Sequence, residues 1–239
     1  MIKALLFDYG GTLDTNGHHW FEVLWEAYLS EDIQASKEQL REAYIYGERT
    51  LEKKPLICSD HNFLDILRIK CHLQTDFMLR NGYLLSQTEA ERLAEAVANS
   101  CYQTARRNTA STHKMLAAFK KKYKLALVSN FYGNLSTVLR DFGLYGYFDK
   151  IVESAHVSHR KPDPQIFRMA VDDLELECDE CIVIGDSYTN DILPAQSIGC
   201  ATIWLKGKGW NDKNQLDDNA VDNCIAVINH FNELEFYLK

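Results

Sequence analysis

The sequence predicts an α/β protein, a parallel sheet flanked by helices with an all-helical segment inserted after the first strand, and three observations support that class. The run Ala4-Leu5-Leu6-Phe7 is apolar, has strand length and stops at Asp8, where Gly10 and Gly11 let the chain turn tightly. For about a hundred residues after Asp14 the apolar positions keep helical spacing, and no convincing strand returns before Lys124. From about Thr112 onward, helix and strand patterns alternate, as they do in a parallel sheet with crossover helices.

Local chemistry predicts each element in turn. In the insertion, Trp20, Val23, Leu24, Ala27 and Tyr28 recur on one helical face, and Ser36 with Gln39 forms a capping box ahead of Leu40, Ala43 and Tyr44. A third helix covers Phe63 to Leu73, and Asn81-Gly82 is a turn. Ser86 with Glu89 is a second capping box, opening the face Leu93, Ala94, Val97, Ala98 and Cys101. Helices are then expected over His113 to Tyr123 and over Leu135 to Phe142, the latter ended by Gly143, with strands over Leu125 to Val128 and Lys150 to Glu153. The alternation continues with helix Pro164 to Leu174, strand Cys181 to Ile184, helix Asn190 to Ile198 ended by Gly199, and strand Ala201 to Leu205. A strand at Ile225 to Ile228 and a helix at Phe231 to Leu238 follow. The expected division is a Rossmann-like core from residues 1–15 and 110–239 and a helical domain from 16–109, joined by linkers near Asp14 and Thr109 to Thr112 about which the insertion would open and close.

Composition narrows the function classes. A chain of 239 residues with 46% hydrophobic content can build a sizeable core, and a formal net charge of −8 argues against sequence-independent nucleic-acid binding. No apolar run reaches the ~20 residues that span a bilayer, and no signal-peptide pattern opens the sequence, so a cytoplasmic protein with reduced core thiols is expected. Cys178-Asp179-Glu180-Cys181 lacks a second pair, and Cys181 opens an apolar strand, so these cysteines read as core. His18-His19 has no third ligand at a fitting interval and reads as exposed or packed histidines. Trp20, Phe21, Trp25, Tyr44 and Tyr46 form mostly the core of the insertion, where substrate selection is expected to reside.

The strands are apolar nearly throughout, and polar residues gather at one end of them: Asp8 after the first, Ser129 and Asn130 at the second, Lys161 after the third and Asp186 after the fourth. In an open parallel sheet those ends share one edge, so the four converge over one crevice. Asp8, Asp186 and Asp191 offer hard oxygen ligands for Mg²⁺, with the Gly10 carbonyl as a further donor, while Ser129, Asn130 and Lys161 offer donors and positive charge to a phosphoryl group. Mg²⁺ would offset the repulsion between a phosphate dianion and the carboxylates, and Asp8 would attack phosphorus to form an aspartyl phosphate that water then releases.

These residues resemble four motifs of the haloacid dehalogenase-like hydrolases with a C1-type helical cap after the first strand. The motifs are Asp8-Tyr9-Gly10-Gly11-Thr12-Leu13, Val128-Ser129-Asn130, Arg160-Lys161-Pro162-Asp163-Pro164 and Gly185-Asp186-Ser187-Tyr188-Thr189-Asn190-Asp191. The resemblance covers nearly the whole chain. It implies Asp8 as nucleophile and magnesium ligand, Thr12 as support for the catalytic loop, Gly11, Ser129 and Lys161 on the phosphate, and Asp186 as a metal ligand with Asp191 beside it.

The departure is Gly10, where phosphatases of the family usually carry an aspartate that protonates the leaving group and activates water. Its loss costs ~10²- to 10⁴-fold in rate, most for an alkyl ester. Three explanations follow. The substrate, a small phosphorylated metabolite, has a good leaving group, or Tyr9, Asp14, His18 or His19 supplies the acid. Alternatively the chemistry is that of a phosphonatase, with Lys53 or Lys54 of the cap forming a Schiff base; a dehalogenase is disfavoured because it needs no metal. Thirdly, the protein binds a phosphorylated ligand or a protein partner without turnover.

Overall fold

The computed structural model describes residues 1–209 and 223–238; of the expected core segment 110–239, residues 210–222 and 239 lie outside the described residues. Ala4–Phe7 (β1), Lys124–Ser129 (β2), Lys150–Glu153 (β3), Cys181–Gly185 (β4), Ala201–Leu205 (β5) and Ala226–Ile228 (β6) form one parallel sheet in the order β3-β2-β1-β4-β5-β6. The chain builds outward from β1 to β3, then crosses back to lay β4 on the other side of β1, and this reversal opens a crevice at the strands' carboxyl ends. Register aligns that edge: Phe7 pairs with Leu127 on one side and with Ile184 on the other.

The sheet is buried on both faces because its side chains alternate between two cores. Leu5, Phe7, Leu127, Ile184 and Ile203 belong to the larger one, which continues into the insertion through Tyr9, Leu13 and Phe63. Leu6, Val128 and Val183 face the smaller one with Ile166, Phe167 and Val171. Helical cap and sheet therefore share one continuous apolar core.

The cap comprises Trp20–Ser30 (α1), Lys37–Lys53 (α2), Phe63–Arg80 (α3) and Gln87–Phe119 (α4). Ser36 and Gln39 make the expected capping box. The second one is only half formed: Ser86 caps Glu89, but the Glu89 carboxylate accepts from the Leu85 amide instead. Helix α3 runs on past Leu73 to the turn at Asn81-Gly82. After β2 come Leu135–Asp141 (α5), Gln165–Asp173 (α6), Leu193–Ser197 (α7) and Leu234–Tyr237 (α8). The segment expected as one helix from Asn190 is instead a wide turn, Tyr188–Ile192, that leads into α7.

The linker expected at Thr109 to Thr112 is absent: α4 is one helix of 33 residues that passes from cap to core. Asn108-Thr109-Ala110-Ser111-Thr112 is rich in residues that compete with the helical backbone. Here their hydroxyls bond back along the helix, Thr109 to the Ala105 carbonyl at 2.9 Å and Thr112 to that of Asn108 at 3.1 Å. Ala105, Thr109, Thr112, Met115 and Leu116 are all buried at helical spacing. The same turn stitches the helix to the loop after β1, with Asn108 Nδ2 donating to the Asp14 carbonyl at 2.9 Å and Thr112 Oγ1, whose one proton is shared with the Asn108 carbonyl, lying 3.1 Å from that of Leu13.

Ala110 is exposed within this helix, so Ala110→Pro tests its continuity. The substitution should destabilise the protein by about 3 kcal/mol or more, read as the midpoint of denaturant unfolding. A flexible linker would accept proline there with little change.

Candidate active site

Asp8 is the first residue beyond β1, and its backbone N–H still donates to the Ile184 carbonyl at 3.0 Å, which fixes where the carboxylate emerges. Asp8 Oδ1 lies 2.6 Å from Lys161 Nζ, and Oδ2 lies 3.2 Å from Thr12 Oγ1. The Thr12 hydroxyl is also 3.1 Å from Asp186 Oδ1, and having one proton it donates to one carboxylate at a time. Gly11 has φ +101°, and a Cβ there would overlap the Asp186 carboxylate, so only glycine lets this loop and that acid meet. Its N–H donates to Asp14 Oδ1 at 2.7 Å and is therefore committed within the loop.

Lys161 is buried and places its ammonium between two acids, 2.6 Å from Asp8 Oδ1 and 2.7 Å from Asp191 Oδ1. Its position comes from Asn130, whose Oδ1 accepts the Lys161 N–H at 2.9 Å and whose Nδ2 donates to the Lys161 carbonyl at 3.0 Å. The Asn130 oxygen and one of its two amide N–H groups thus hold the lysine's backbone. Asp191 is buried in the turn Tyr188–Ile192, and its Oδ2 accepts the Ser187 N–H at 3.0 Å. A Cβ at Gly185 would overlap it. Ser129 ends β2, buried, in register with Glu153. Trp204 Nε1 donates to the Asp186 carbonyl at 2.8 Å and steadies that loop.

Asp8, Asp186 and Asp191 offer carboxylate oxygens all within 4.8 Å of one another. Three acids share one ammonium, so the cluster is short of positive charge. Burial, then the charges of Asp8 and Asp191, hold the Asp186 carboxyl well above the usual range. Burial likewise pushes Asp8 up to about 6 although Lys161 pulls it down. Burial alone would lower Lys161, but Asp191 and Asp8 outweigh it and hold the ammonium above its usual value. A cluster of hard oxygen donors with unmet positive charge fits a divalent cation such as Mg²⁺.

Beside this cluster lies a cavity of about 190 Å³, walled by Gly10, Asn130 and Asp186 from the core and by Trp20, Glu48 and Lys70 from the cap. A larger trough of about 830 Å³ shares His19, Tyr44, Glu48 and Asp186 with it. Of the four candidates for an acid near Gly10, only His19 lines the cavity. Its Nδ1 accepts from Phe21 N–H at 3.1 Å, which puts the neutral ring's proton on Nε2, and burial pushes its pKa down to about 4. Tyr9 OH is buried and has no hydrogen-bond partner. Asp14 is fully buried, accepting from Gly11 N–H and, at 3.0 Å, from Trp20 Nε1. His18 lines a separate cavity with Asn16 and Glu26. Lys53 and Lys54 are exposed.

Lys70 and Glu48 escaped the sequence reading, although each left a trace there. Lys70 falls on the apolar stripe Phe63, Ile66, Leu67, Cys71 of α3, and Glu48 beside Ala43, Gly47 and Leu51 on α2. A charge on a buried stripe is a signal that helical periodicity alone can reveal.

The haloacid dehalogenase-like hydrolase family model matches residues 2–199. Haloacid dehalogenase-like hydrolase domain-containing protein 3 of Mus musculus is 32% identical over 111 residues, 46% of this chain and 44% of that protein. The chain thus matches less than half the length of that relative. The 5-amino-6-(5-phospho-D-ribitylamino)uracil phosphatase YigB of Escherichia coli is 24% identical over 86% of this chain and 84% of its own. The structure of a HAD phosphatase from Thermococcus onnurineus superimposes with a TM-score of 0.53 at 23% identity, covering 99% of this chain and 98% of that one, and shows the shared fold.

The electrostatics of the loop can be read from Asp14, which burial pushes up to about 7 against the pull of Gly11 N–H and Trp20. An acid with a raised folded-state pKa binds more protons folded than unfolded, so stability falls as pH rises from the ordinary carboxylate value of about 3.9 through about 7. Asp14→Asn removes that loss. Its melting-temperature deficit relative to wild type should shrink between about pH 5 and about pH 8, and a deficit constant across that range would show that the carboxyl does not titrate there.

Proposed function

Because the chain belongs to the haloacid dehalogenase-like hydrolases, we propose that it is a Mg²⁺-dependent phosphatase acting on a small phosphorylated metabolite through an aspartyl phosphate at Asp8. The observation that carries the proposal is the buried Lys161 ammonium held 2.6 Å from Asp8, inside a cluster of carboxylates that can take a divalent cation. The phosphatase named among the relatives supports the reaction class.

Asp8, Asp186 and Asp191 would hold Mg²⁺, with the Gly10 carbonyl as a further donor, and the ion supplies positive charge that offsets repulsion and stabilises the transition state. The protein's own groups do the rest. With its pKa near 6, Asp8 is mostly ionised at neutral pH and attacks phosphorus through one oxygen while the other stays hydrogen-bonded. The bond to the leaving oxygen breaks as the acyl phosphate forms. Lys161 and the Ser129 hydroxyl receive the phosphoryl oxygens, and Thr12 orients the nucleophile. Asn130 grips the Lys161 backbone through one of its two amide N–H groups and has the second for a phosphoryl oxygen, whereas we assign Gly11 to positioning, because its N–H is engaged by Asp14. Water then attacks the acyl phosphate, releases inorganic phosphate and restores Asp8.

The leaving oxygen meets no carboxyl at Gly10. His19 at that wall is neutral and a poor proton donor, so the site favours leaving groups that depart without full protonation. The absence of a carboxyl also supports a second reading, a phospholigand- or partner-binding protein that does not turn over. A phosphonatase is not supported. Schiff-base chemistry needs an unprotonated amine, yet Lys70 is the cap lysine on the cavity, and it is held well above its usual value because Glu48, Tyr132 and Tyr44 outweigh the lowering by burial. Neither nucleic acid nor membrane is a proposed partner. Among the described residues no helix is long and apolar enough to cross a bilayer. A cytoplasmic setting is in keeping with seven cysteines that form no disulfide.

Phosphate release from acetyl phosphate and from glycerol phosphate, with and without Mg²⁺, tests this proposal. Asp8→Asn should abolish turnover of both, and turnover that survives it, or none in wild type, would rule out catalysis at Asp8. A Cβ at Gly10 meets only Trp20 Nε1, at 4.0 Å, so an aspartate fits there. Gly10→Asp should raise turnover of the alkyl ester by about 10-fold to 10²-fold and that of acetyl phosphate much less. Equal effects on the two would mean that protonation of the leaving group is not what limits this site.

A further inference from the structure

Three polar side chains on the far wall of the small cavity have no part in the chemistry above. Glu48 comes from α2, Lys70 from α3 and Tyr132 from the loop after β2, so cap and core both contribute. Lys70 Nζ lies 2.8 Å from Glu48 Oε1, and Tyr132 OH donates to Glu48 Oε2 at 2.9 Å. The ammonium also sits 5.1 Å from the centroid of the Tyr132 ring. Glu48 Oε1 is buried, and the Lys70 ammonium is its one close partner among the described residues. An ion pair enclosed this far adds little stability over apolar packing, and a buried carboxylate oxygen with one close partner has room to accept from a second donor.

We propose that Glu48, Lys70 and Tyr132 form a hydroxyl-recognising subsite for the non-reacting end of the substrate, and that the substrate is a short phosphorylated polyol or sugar. The inference rests on the phosphatase reading and adds to it the substrate's chemistry. A hydroxyl is both donor and acceptor. It gives its proton to Glu48 Oε1 and takes a hydrogen bond from the Lys70 ammonium, which has three N–H groups and one close carboxylate. A second anionic group fits poorly, because Glu48 already balances Lys70 and would repel it. Size agrees, since 190 Å³ is the share of liquid volume of about six waters. Tyr44, Trp20, Phe63 and Phe131 line the same cavity and give a carbon chain apolar contact between its hydroxyls.

Calorimetric titration of the full chain in Mg²⁺ with three probes, inorganic phosphate, glycerol 3-phosphate and 2-phosphoglycolate, tests the subsite. Wild type should bind glycerol 3-phosphate about tenfold more tightly than 2-phosphoglycolate. Glu48→Gln, nearly isosteric, leaves Lys70 unbalanced; it should weaken glycerol 3-phosphate about tenfold and tighten 2-phosphoglycolate by a similar factor, with inorganic phosphate unchanged. Tyr132→Phe removes one hydroxyl and should weaken only glycerol 3-phosphate, which covers the case in which Glu48→Gln does not fold. Wild-type preference for the carboxylated probe, or losses shared equally by all three probes, would overturn the subsite while leaving the phosphatase reading intact. Failure of inorganic phosphate to bind, together with no Asp8-dependent turnover, would overturn that reading and the subsite with it.

Discussion

The Lys161 ammonium, enclosed between Asp8 and Asp191, is the interaction on which the rest of the site depends. Without it three carboxylates would crowd one pocket with no positive charge to offset their burial. Burial first, and then repulsion among acids that one lysine cannot offset, holds Asp186 and Asp8 raised, and the cluster retains an appetite for a cation. Much of the surrounding sequence serves to bring these groups together. Asn130 grips the lysine's backbone from β2, and the missing side chains at Gly11 and Gly185 let Asp186 and Asp191 approach where any Cβ would collide.

What the sequence reveals of this site follows from the sheet. Once β1, β2 and β4 are known to be parallel and buried, Asp8, Ser129 and Asp186 must emerge at one edge, and the registers of Phe7 with Leu127 and Ile184 realise that expectation. Less legible was how each donor is spent. Asn130 and Gly11 carry hydrogen-bonding groups of the right kind, yet the Gly11 N–H is used on Asp14 and one Asn130 N–H on Lys161, and only three-dimensional pairing can show it. The boundary at Thr109 to Thr112 was obscured for a related reason. Threonine and serine in a row suggest a linker, but tertiary burial of Ala105, Thr109 and Thr112 overrides local preference, and the hydroxyls turn inward along the helix.

The loop after β1 shows how the chain is arranged around the absent carboxyl. Asp14 draws in the Gly11 amide and the Trp20 indole, and that indole nitrogen stands 4.0 Å from where a Cβ at Gly10 would lie. The space that an acid would fill is thus open on one side and bounded by an apolar ring on the other. Next to it, His19 is neutral at working pH because burial outweighs the pull of Glu48. Together these groups leave the cavity wall beside Gly10 without a readily transferable proton.

That wall belongs to the cap, and the cap is not an independent accessory. The larger core runs without interruption from Phe7 through Tyr9 and Leu13 to Phe63, and α4 carries its rigidity from one layer to the other. Tyr132, two residues beyond Asn130, reaches across to Glu48 on α2 while Asn130 itself holds Lys161. The short segment after β2 is therefore bonded at one end to the backbone of Lys161 and at the other to Glu48 of the cap, so three consecutive residues tie the lysine beside Asp8 to the far wall of the cavity.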